Sequence, residues 1–390
     1  MFFPFISLFL FATVIQLGFL FLLRWRQVAP SSVNNLPPVS VIICARNEAA
    51  NLERFLPQVL QQDYPAGLFE VIVVNDGSTD GSAILLAALQ QQYPYLKVIT
   101  LPADTVKDLP GKKYALRAGI AAAQHERLLL TDADCRPASA TWLRDMTAPE
   151  ATIVLGYGAY EQQPGLLNRF IRWETAHTCM QYAAYALAGK AYMGVGRNLC
   201  YNKSLLALLE QDAAFQEVYR HTPSGDDDLL ISAIATHNKP AICLEPSAHT
   251  VSLPQSSWKA WWRQKTRHVS TGKFYPPAAK RLLSLYGLSH GLFWLLALPV
   301  LPLSLCRPPG ASFSLWRLDG CLAVPDPMMI IAWIAFVLRL ALYWINAACW
   351  YRQLNEKKIF LFYPFGDLGW ALYNVILSPY ILWKNKQAWK

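Results

Sequence analysis

The chain has 390 residues, of which 54% are hydrophobic and 16% are charged, whereas about 25% of the residues in a soluble domain are charged. This composition excludes an ordinary water-soluble globular protein and indicates a membrane protein. The formal net charge is +9, but no zinc-finger, homeodomain or RNA-recognition pattern accompanies it, so we expect no nucleic-acid partner. Much of the basic excess flanks apolar runs, which favours anionic membrane lipids as its partner.

The N-terminal residues 1–23 carry no charge and exceed the roughly 18 to 20 residues that a helix needs to cross a bilayer. The run has no basic start and no small-residue cleavage site, so residues 1–26 are predicted to be a retained anchor rather than a cleaved signal. Arg24 and Arg26 follow the run, and the positive-inside rule therefore places the following chain in the cytoplasm. We predict a cytoplasmic domain over residues 38–275, held at the inner (cytoplasmic) membrane.

Three short apolar runs in this central region, at residues 39–44, 70–74 and 127–131, predict β-strands. Each run is continuous rather than alternating, as in parallel strands that are buried on both faces. Helical patterns separate the runs, and strands that alternate with helices indicate an open α/β sheet. Because ligands bind such sheets beyond the carboxyl ends of the strands, we expect the functional site where these runs end.

Polar clusters lie at or just beyond these ends. They are Arg46, Asn47 and Glu48 after the first run, Asp76 after the second, Lys112 in a Gly-Lys-Lys turn, and Asp132 and Asp134 after the third. Each cluster alone has an ordinary structural explanation, such as helix capping by Asn47, a turn at Asp76, or solvated lysines at Lys112 and Lys113. Together they are predicted to converge on one crevice.

Asp132 and Asp134 flank a single residue at a strand end. A buried pair of acids needs a cation to offset its repulsion and desolvation. Hard oxygen ligands that are completed by substrate phosphates are typical of divalent-metal nucleotide sites. We therefore predict that the pair binds Mg²⁺ or Mn²⁺, bridging it to a diphosphate.

Four motifs in this order resemble the N-terminal half of the family 2 inverting glycosyltransferases, the group that contains the cellulose and hyaluronan synthases. The motifs are SVIICARNEAANLERFL, EVIVVNDGSTDGS, GKKYALRAGI and LLLTDADC. The resemblance extends over residues 39–275. It implies a GT-A fold, which is α/β and Rossmann-like with a mostly parallel sheet, and it implies a nucleotide-sugar donor.

The resemblance also implies roles for the matching positions. Four residues would line the nucleotide pocket: Arg46, Asn47, Glu48 and Asp76. Asp76 would lie near the base, and Lys112 near the ribose or the phosphates. Asp132 and Asp134 would form the D-x-D motif of the family, with Asp134 as the direct metal ligand.

Inverting sugar transfer needs a carboxylate that accepts the proton of the acceptor hydroxyl. Three adjacent acids, Asp226, Asp227 and Asp228, are the candidates, although acids at a helix start would also complement the helix dipole. The family usually has Glu-Asp-x-Asp/Glu-Leu here, and alignment on Leu229 matches Gly225 with the Glu and Asp226 with the base. A shift by one residue makes Asp227 the base instead, so both are candidates and Asp228 is a helper or a cap.

The segment Gln264-Lys265-Thr266-Arg267-His268 resembles the Gln-x-x-Arg-Trp motif of the processive synthases, with His268 in the position of the Trp. Gln264 and Arg267 are one helical turn apart and are predicted to face one ligand. The planar guanidinium of Arg267 suits a departing diphosphate. The missing Trp counts against a platform for a growing polysaccharide. Mixed aromatic and cationic residues over 256–275 predict an interfacial helix.

Residues 194–199, Gly-Val-Gly-Arg-Asn-Leu, resemble the small-residue stretch near the acceptor site of the family. Glycines there would let the backbone approach a sugar closely, and an ordinary turn explains them nearly as well. An amphipathic helical pattern follows at 204–210.

Three apolar runs follow the central domain, at residues 282–306, 327–351 and 359–383. The first two are predicted to cross the membrane, with the loop that holds Arg307 and Arg317 outside. The third contains two prolines, Gly366 and Asp367, and a basic tail follows it. A crossing with that tail outside, or a re-entrant or interfacial pair of short helices, fits this run equally well.

The eight cysteines show neither a C-x-x-C pair nor the spacing of metal ligands. This pattern predicts buried free thiols in a reducing compartment rather than a disulfide framework.

These observations predict a membrane glycosyltransferase that moves a sugar, with inversion, from a nucleoside-diphosphate sugar to a lipid-linked or glycan acceptor. A polyprenyl phosphate acceptor, which is already anionic and needs little base catalysis, is an alternative. Another is a non-catalytic membrane protein with a degenerate nucleotide-binding domain, against which the intact Asp76, Asp132, Asp134 and Arg267 count. The motifs do not define the donor base, the sugar, the acceptor or the oligomeric state.

Overall fold

The computed structural model describes residues 3–26, 35–222, 224–235, 238–305 and 327–383. Side chains are described throughout these ranges except at 269–270, 302–305 and 377–383. The predicted loop with Arg307 and Arg317, the basic tail at 384–390, and two of the eight cysteines, Cys306 and Cys321, lie outside the described residues.

The strands in these ranges form two sheets. They are β1 (Val39–Ala45), β2 (Phe69–Asp76), β3 (Leu96–Leu101), β4 (Arg127–Asp132), β5 (Cys135–Pro137), β6 (Ile153–Leu155), β7 (Gly158–Tyr160), β8 (Leu199–Asn202), β9 (Ala241–Ile242) and β10 (Thr250–Ser252).

The α-helices pack against the sheets and include several long apolar helices. They are α1 (Phe3–Leu23), α2 (Ala49–Leu60), α3 (Ser82–Gln92), α4 (Lys113–Ala122), α5 (Trp142–Thr147), α6 (Leu166–Leu187), α7 (Leu205–Glu210), α8 (Ala213–His221), α9 (Asp228–Ile234), α10 (Trp258–His268), α11 (Pro277–Leu305), α12 (Pro327–Gln353) and α13 (Tyr363–Trp383). Three 3₁₀ helices lie at Pro246–Ala248, Val269–Phe274 and Lys357–Phe362.

The large sheet has the strand order β3-β2-β1-β4-β8-β6-β9. β3, β2, β1 and β4 are parallel, and β8 runs antiparallel to β4. The three predicted parallel strands are therefore confirmed, and they are neighbours in the sheet, in the order β2-β1-β4. Every residue of β1 and β2 is buried, which is why their sequences are apolar without alternation.

The register of the sheet brings the polar clusters to one edge. Ala45 pairs with Asn75 across β1 and β2, and Cys44 pairs with Asp132 across β1 and β4. The chain segments that begin at Arg46, Asp76 and Ala133 therefore leave the sheet side by side. The small sheet, in the order β5-β10-β7, joins this edge to the later half of the domain, since Ser252 of β10 pairs with Cys135 of β5.

Four helices are long and apolar enough to cross a membrane: Phe3–Leu23, Pro277–Leu301, Pro327–Gln353 and Lys357–Ile376. They coincide with the four apolar runs of the sequence. The last run is one continuous α-helix, α13, preceded by the 3₁₀ turn, and not two short helices. Pro364 lies in the first turn of α13, where backbone N–H groups have no partner within the helix, so the missing N–H of proline removes no helical hydrogen bond.

A buried polar contact joins the four membrane helices. Asp367 of α13 forms an ion pair with Arg339 of α12, and its carboxylate lies 3.0 Å from Nε2 of His290 of α11. Trp294 Nε1 donates to the same carboxylate at 2.9 Å. Arg339 also donates to the side-chain oxygen of Gln16 of α1 at 2.9 Å. One helix from each of the four runs therefore contributes to this network.

The α/β domain is anchored to the membrane helices through α6. Arg172 of α6 forms a buried ion pair with Glu356, in the turn after α12. Gly366 of α13 lies directly on the Trp173 ring, where an added Cβ would come within 2.3 Å of a ring carbon. Any larger residue at 366 would push the domain away from the helices.

Candidate active site

A single cavity of about 1880 Å³ connects the edge of the large sheet with the membrane helices. It begins beside Arg46 and Asp132, passes Asp226 and α10, and continues along α11 and α13. The polar end of the cavity is therefore built by the strand ends, and the other end by apolar helices.

Asn47 and Asp80 organise the loops at the start of the cavity. Asn47 adopts a left-handed backbone conformation with φ of 55°, and its side-chain oxygen accepts the backbone N–H of Thr79 at 2.8 Å. The first N–H of α2, at Ala49, donates to Asp80 Oδ2 at 3.0 Å. Helix capping is thus provided by Asp80, and Asn47 instead joins the loops that follow β1 and β2.

Asp76 ends β2 and is fully buried. Its Oδ1 accepts a hydrogen bond from Lys107 Nζ at 2.5 Å, whereas its Oδ2 and the side-chain oxygen of Asn75 have no hydrogen-bond partner among the described residues. Unpaired buried acceptors are costly and are common where a ligand supplies the donor. This end of β2 can therefore accept hydrogen bonds from a bound molecule.

Lys112 stands between two acids from distant parts of the sequence. Its Nζ lies 2.7 Å from Asp132 Oδ1 and 3.2 Å from Asp226 Oδ2. The two carboxylates thus share one ammonium group. The contact brings the D-x-D segment and the candidate base to the same wall of the cavity.

Lys113, in contrast, is buried and points away from the cavity. Its Nζ donates to the carbonyls of Tyr219 at 2.8 Å and Thr222 at 2.5 Å. Burial lowers the pKa of Lys113 to about 8, against the opposing effect of Asp226 and Asp227. The expectation of a solvated lysine is wrong at this position, because Lys113 ties α4 to the end of α8.

Asp132, Asp134 and Cys135 form a group whose ligand atoms lie within 4.8 Å of one another. The Cys135 thiol lies 2.9 Å from the Ser252 hydroxyl. Burial, together with the nearby Asp132 and Glu48 carboxylates, raises the pKa of Asp134. Two close carboxylates that face a cavity suit a hard divalent cation, whereas a buried, hydrogen-bonded thiol suits it poorly.

Gly225 shapes the loop that carries the three adjacent acids. Its φ is 83°, and an added Cβ would lie 2.8 Å from Leu229 Cγ and 2.9 Å from Thr271 Cγ2. A Glu at this position would therefore be strained and would clash. The departure from the family pattern at 225 has a local steric reason.

The three acids have different surroundings. Asp226 faces Lys112 in the cavity. Asp227 Oδ2 accepts the Gly196 N–H at 2.6 Å, and its Oδ1 accepts the Asp228 N–H at 2.8 Å at the start of α9. Asp228 accepts the Tyr275 hydroxyl at 2.9 Å. Burial and Asp226 raise the pKa of Asp227 to about 6.

The helix α10 covers the cavity from the membrane side. Gln264 and Arg267 both line the cavity, and Gln264 Nε2 donates to the Tyr160 hydroxyl at 3.3 Å. Lys265 forms an ion pair with the buried Glu174 of α6. This ion pair fixes the position of α10 relative to the rest of the domain.

Most of the residues singled out in the sequence meet at this cavity. Those that line it are Arg46, Glu48, Lys112, Asp132, Asp134, Asp226, Asp227, Gln264 and Arg267. Asn47 and Asp76 are not among the described residues that line it, and both belong to the loops beside its polar end.

Arg197 is a cavity residue that the sequence analysis did not select. Its guanidinium stacks over the Tyr160 ring at 4.4 Å. Burial lowers the pKa of Arg197, but Tyr160, Cys135 and Asp134 together raise it above its ordinary value. An added Cβ at Gly158 would lie 2.3 Å from Arg197 Nε. The signal in the sequence was the Gly156-Tyr157-Gly158 segment, whose glycines make room for a large neighbour.

The parallel sheet, the acid pair at the end of β4 and the second half that closes over it define a GT-A fold. Residues 40–197 match the family model described as glycosyl transferase family 2. The chain therefore carries a family 2 glycosyltransferase domain.

Curated relatives agree with this family. The probable glycosyltransferase YdaM of Bacillus subtilis is 30% identical over 257 residues, which is 63% of this chain and 56% of YdaM. The beta-monoglucosyldiacylglycerol synthase of Nostoc sp. is 33% identical over 116 residues, which is 30% of this chain and 24% of that protein. The chain thus spans about half or less of the length of these relatives.

A solved structure shares the fold. The mannosyltransferase PcManGT of Pyrobaculum calidifontis, in complex with GDP-Man and Mn²⁺, superposes with a TM-score of 0.56 at 19% identity. The similarity covers 95% of this chain and 99% of the other. The fold therefore extends over nearly the whole chain, including helices outside the family match.

Proposed function

We propose that this protein is a membrane-anchored glycosyltransferase that moves a sugar, with inversion, from a nucleoside-diphosphate sugar to a hydroxyl of a lipid-linked or glycan acceptor. The observation that carries the proposal is the position of Lys112 between Asp132 and Asp226. A residue of the proposed metal motif and the proposed base thereby lie on one wall of one cavity.

The donor would lie with its base at the end of β2 and its diphosphate at the end of β4. Asp76 Oδ2 and Asn75 Oδ1 have no partner in the described part of the chain, which suits the N–H donors of a nucleobase or the hydroxyls of a ribose. Arg46, Asn47 and Glu48 would complete this end. PcManGT is solved with GDP-Man, which supports the same class of donor here.

Asp134, with Asp132, would hold a divalent cation. The fit is supported by the carboxylates of the acid group and by the raised pKa of Asp134, which burial and the nearby Asp132 and Glu48 carboxylates cause against the effect of Arg197. Mg²⁺ or Mn²⁺ at this point would offset the charge of the diphosphate. PcManGT is solved with Mn²⁺, in agreement with this choice.

Asp226 is the better candidate for the base. Both oxygens of Asp227 already accept backbone N–H groups, so Asp227 acts by holding the Gly196 loop and the start of α9. Asp226 faces the cavity beside Lys112, where an acceptor hydroxyl can reach it.

In the proposed reaction, Asp226 takes the proton of the acceptor hydroxyl as its oxygen attacks the anomeric carbon. The bond from that carbon to the diphosphate breaks on the opposite face, and the nucleoside diphosphate leaves. Arg267 and Gln264 would contact the leaving phosphates from α10, because a guanidinium pairs with two phosphate oxygens. Lys112 would exchange its ion pair with Asp226 for one with the diphosphate.

The four apolar helices support a location in the inner membrane. With Arg24 and Arg26 directly after α1, we place the α/β domain on the cytoplasmic side. Nucleotide sugars would then reach the cavity from the cytoplasm.

The test is a screen of the full-length protein in detergent against UDP-, GDP- and CDP-sugars with Mn²⁺ or Mg²⁺, in the presence of total bacterial lipids. We expect metal-dependent release of one nucleoside diphosphate, reduced by about 10³-fold in Asp134→Ala, as for other electrostatic contacts to a transition state. Asp63→Ala, which removes an exposed acid paired with Arg144, should match the wild type. Absence of nucleotide binding in the wild type would favour a degenerate domain instead.

A further inference from the structure

We infer that the acceptor is a membrane lipid whose acyl chains lie in an apolar groove between α11 and α13 and whose hydroxyl headgroup reaches Asp226. This inference rests on the proposed sugar transfer and adds the class of acceptor and its path to the site. We call this end of the cavity the lateral groove. Its walls are Leu283, Gly287, Leu288, Gly291 and Leu295 on α11, and Trp370, Tyr373 and Val375 on α13.

The lateral groove is continuous with the polar end of the cavity. The same cavity is lined by Asp226 and Lys112 at one end and by Leu295 at the other. A single elongated molecule can therefore touch the proposed base with its head while its tail lies along the membrane helices.

The lateral groove also opens to the outside of the helix bundle. Leu288, Leu295 and Val375 on its walls are 67%, 45% and 44% exposed. From 283 to 295 the groove follows α11 for about 18 Å at 1.5 Å per residue, more than half of the roughly 30 Å of a hydrocarbon core. In a bilayer, this opening would face lipid tails.

The chemistry of the walls fits an acyl chain and not a glycan. The walls are mostly aliphatic and aromatic. Of their polar residues, Ser284 lies on α11, and the amide of Asn374, beside Tyr373, donates to the Trp370 carbonyl of its own helix at 2.8 Å. A sugar hydroxyl buried there without a partner would lose the hydrogen bonds that it makes in water, which is unfavourable, and each sugar unit carries several hydroxyls. A glycan chain is therefore a poor occupant of this groove.

The glycines of α11 give the groove its width. An added Cβ at Gly291 would contact Val375 Cγ2 at 3.6 Å, so this position is near the opposite wall. An added Cβ at Gly287 would meet no atom of the described residues within 4 Å. A side chain at 287 would therefore extend into the groove without disturbing the packing of α11.

The test blocks the groove at Gly287. Gly287→Leu places a branched side chain in the groove, and leucine favours a helix more than glycine does. The matched control is Gly18→Leu on α1, because an added Cβ at Gly18, as at Gly287, meets no described atom within 4 Å. Gly18 is exposed, whereas Gly287 is half-buried. Val375→Trp blocks the groove from the other wall.

The proteins are reconstituted in vesicles of total bacterial lipid extract and supplied with the radiolabelled nucleotide sugar that the wild type binds. We expect label in the organic phase for the wild type and Gly18→Leu, and a decrease of at least about tenfold, or about 1.4 kcal/mol, for Gly287→Leu and Val375→Trp. The affinity of all four proteins for the nucleotide should stay equal, which shows that the variants are folded.

Two outcomes would overturn the inference while nucleotide binding persists. One is a labelled product that is confined to the aqueous phase, as a soluble glycan acceptor would give. The other is transfer at the wild-type rate by both groove variants. Failure of the wild type to bind any nucleotide would instead refute the proposed function on which the inference rests.

Discussion

The aspartates of the cavity and the aspartate of the membrane helices are both surrounded by protein, but their charges are balanced differently. The Asp367 carboxylate forms an ion pair with Arg339, accepts the Trp294 N–H and contacts a ring nitrogen of His290. In the cavity, Asp132 and Asp226 share Lys112, and Asp134 forms no ion pair within the described ranges of the chain. Buried charges need such partners, because desolvation costs several kcal/mol per ion.

The difference separates a structural acid from a functional one. A carboxylate whose hydrogen bonds are complete holds helices together and has no capacity for a ligand. Carboxylates that share a cation, or whose pKa is raised by burial and by neighbouring carboxylates, are suited to bind an additional positive charge. The following experiments test this distinction, from the largest expected effect to the smallest.

Replacement of the proposed base should have the largest effect among these. In Asp226→Asn we expect turnover to fall by about 10² to 10⁴-fold, the usual contribution of general base catalysis, with unchanged nucleotide affinity. In Asp227→Asn, which keeps one of the two oxygen acceptors, turnover should stay within about tenfold and the loss should be in stability, about 1 kcal/mol for a weakened helix cap. Steady-state kinetics and thermal unfolding of both variants measure this.

A larger loss of turnover in Asp227→Asn than in Asp226→Asn would make Asp227 the base and α9 the element that carries it. Full activity of both single variants and of the double variant would favour a phosphate acceptor, which is already anionic. Either result would contradict the assignment of Asp226.

The membrane network should respond to the loss of one partner more than to the loss of both. Arg339→Met leaves the Asp367 carboxylate buried without its main partner, so we expect a destabilisation of about 3 to 5 kcal/mol. The double variant Arg339→Met/Asp367→Leu should regain most of it. Thermal unfolding in detergent is the measurement.

The exposed pair Arg117 and Asp108, which is more than half solvent-accessible, is the matched control for that experiment. Its loss in Arg117→Met should cost less than about 1 kcal/mol. A similar loss for both pairs would mean that burial does not distinguish them, contrary to the comparison above.

Lys113 gives a smaller, pH-dependent effect. Because burial lowers the pKa of Lys113 to about 8 in the folded protein from its ordinary value of 10.5, the unfolded chain keeps this proton between those pH values and the folded chain does not. The free energy of unfolding should therefore rise as the pH increases from 8 towards 10.5, by up to roughly 3 kcal/mol. Lys113→Met should lose this rise.

Lys97→Met is the control, since Lys97 Nζ also donates to a carbonyl, that of Ala122, at 3.0 Å, but Lys97 is only half-buried. We expect it to retain the rise. Chemical unfolding at pH 7.5, 8.5 and 9.5 compares the three proteins. Equal pH dependence in all three would show that Lys113 is not the group responsible.

The parts of the fold that follow from local pattern could be predicted from the sequence. The runs that became β1, β2 and β4 are apolar because both of their faces are buried, and the acids at their ends meet because parallel strands end at one edge. The four membrane helices follow from length and hydropathy alone. Free thiols were also correctly predicted for the described cysteines.

The parts that depend on distant contacts could not be predicted. Arg197 is brought to the acid pair by a close approach to Gly158, and this glycine indicates space for a neighbour without indicating which distant side chain fills it. Lys112 and Lys113 are adjacent in sequence, yet the start of α4 turns one towards the cavity and the other into the interior. The role of Asp367, which in the sequence is an interruption of an apolar run, depends on partners from two other helices, α11 and α12.

Binding of Mn²⁺ tests the central claim most directly, because it requires the acid pair and the nucleotide end of the cavity together. Free Mn²⁺ is measured by electron paramagnetic resonance during titration of the wild type, Asp134→Ala and Asp63→Ala, each with and without UDP or GDP. We expect the wild type and Asp63→Ala to bind Mn²⁺ in the presence of one of these nucleotides, and Asp134→Ala to lose this binding. Equal binding by all three proteins, or none by the wild type with either nucleotide, would contradict the account.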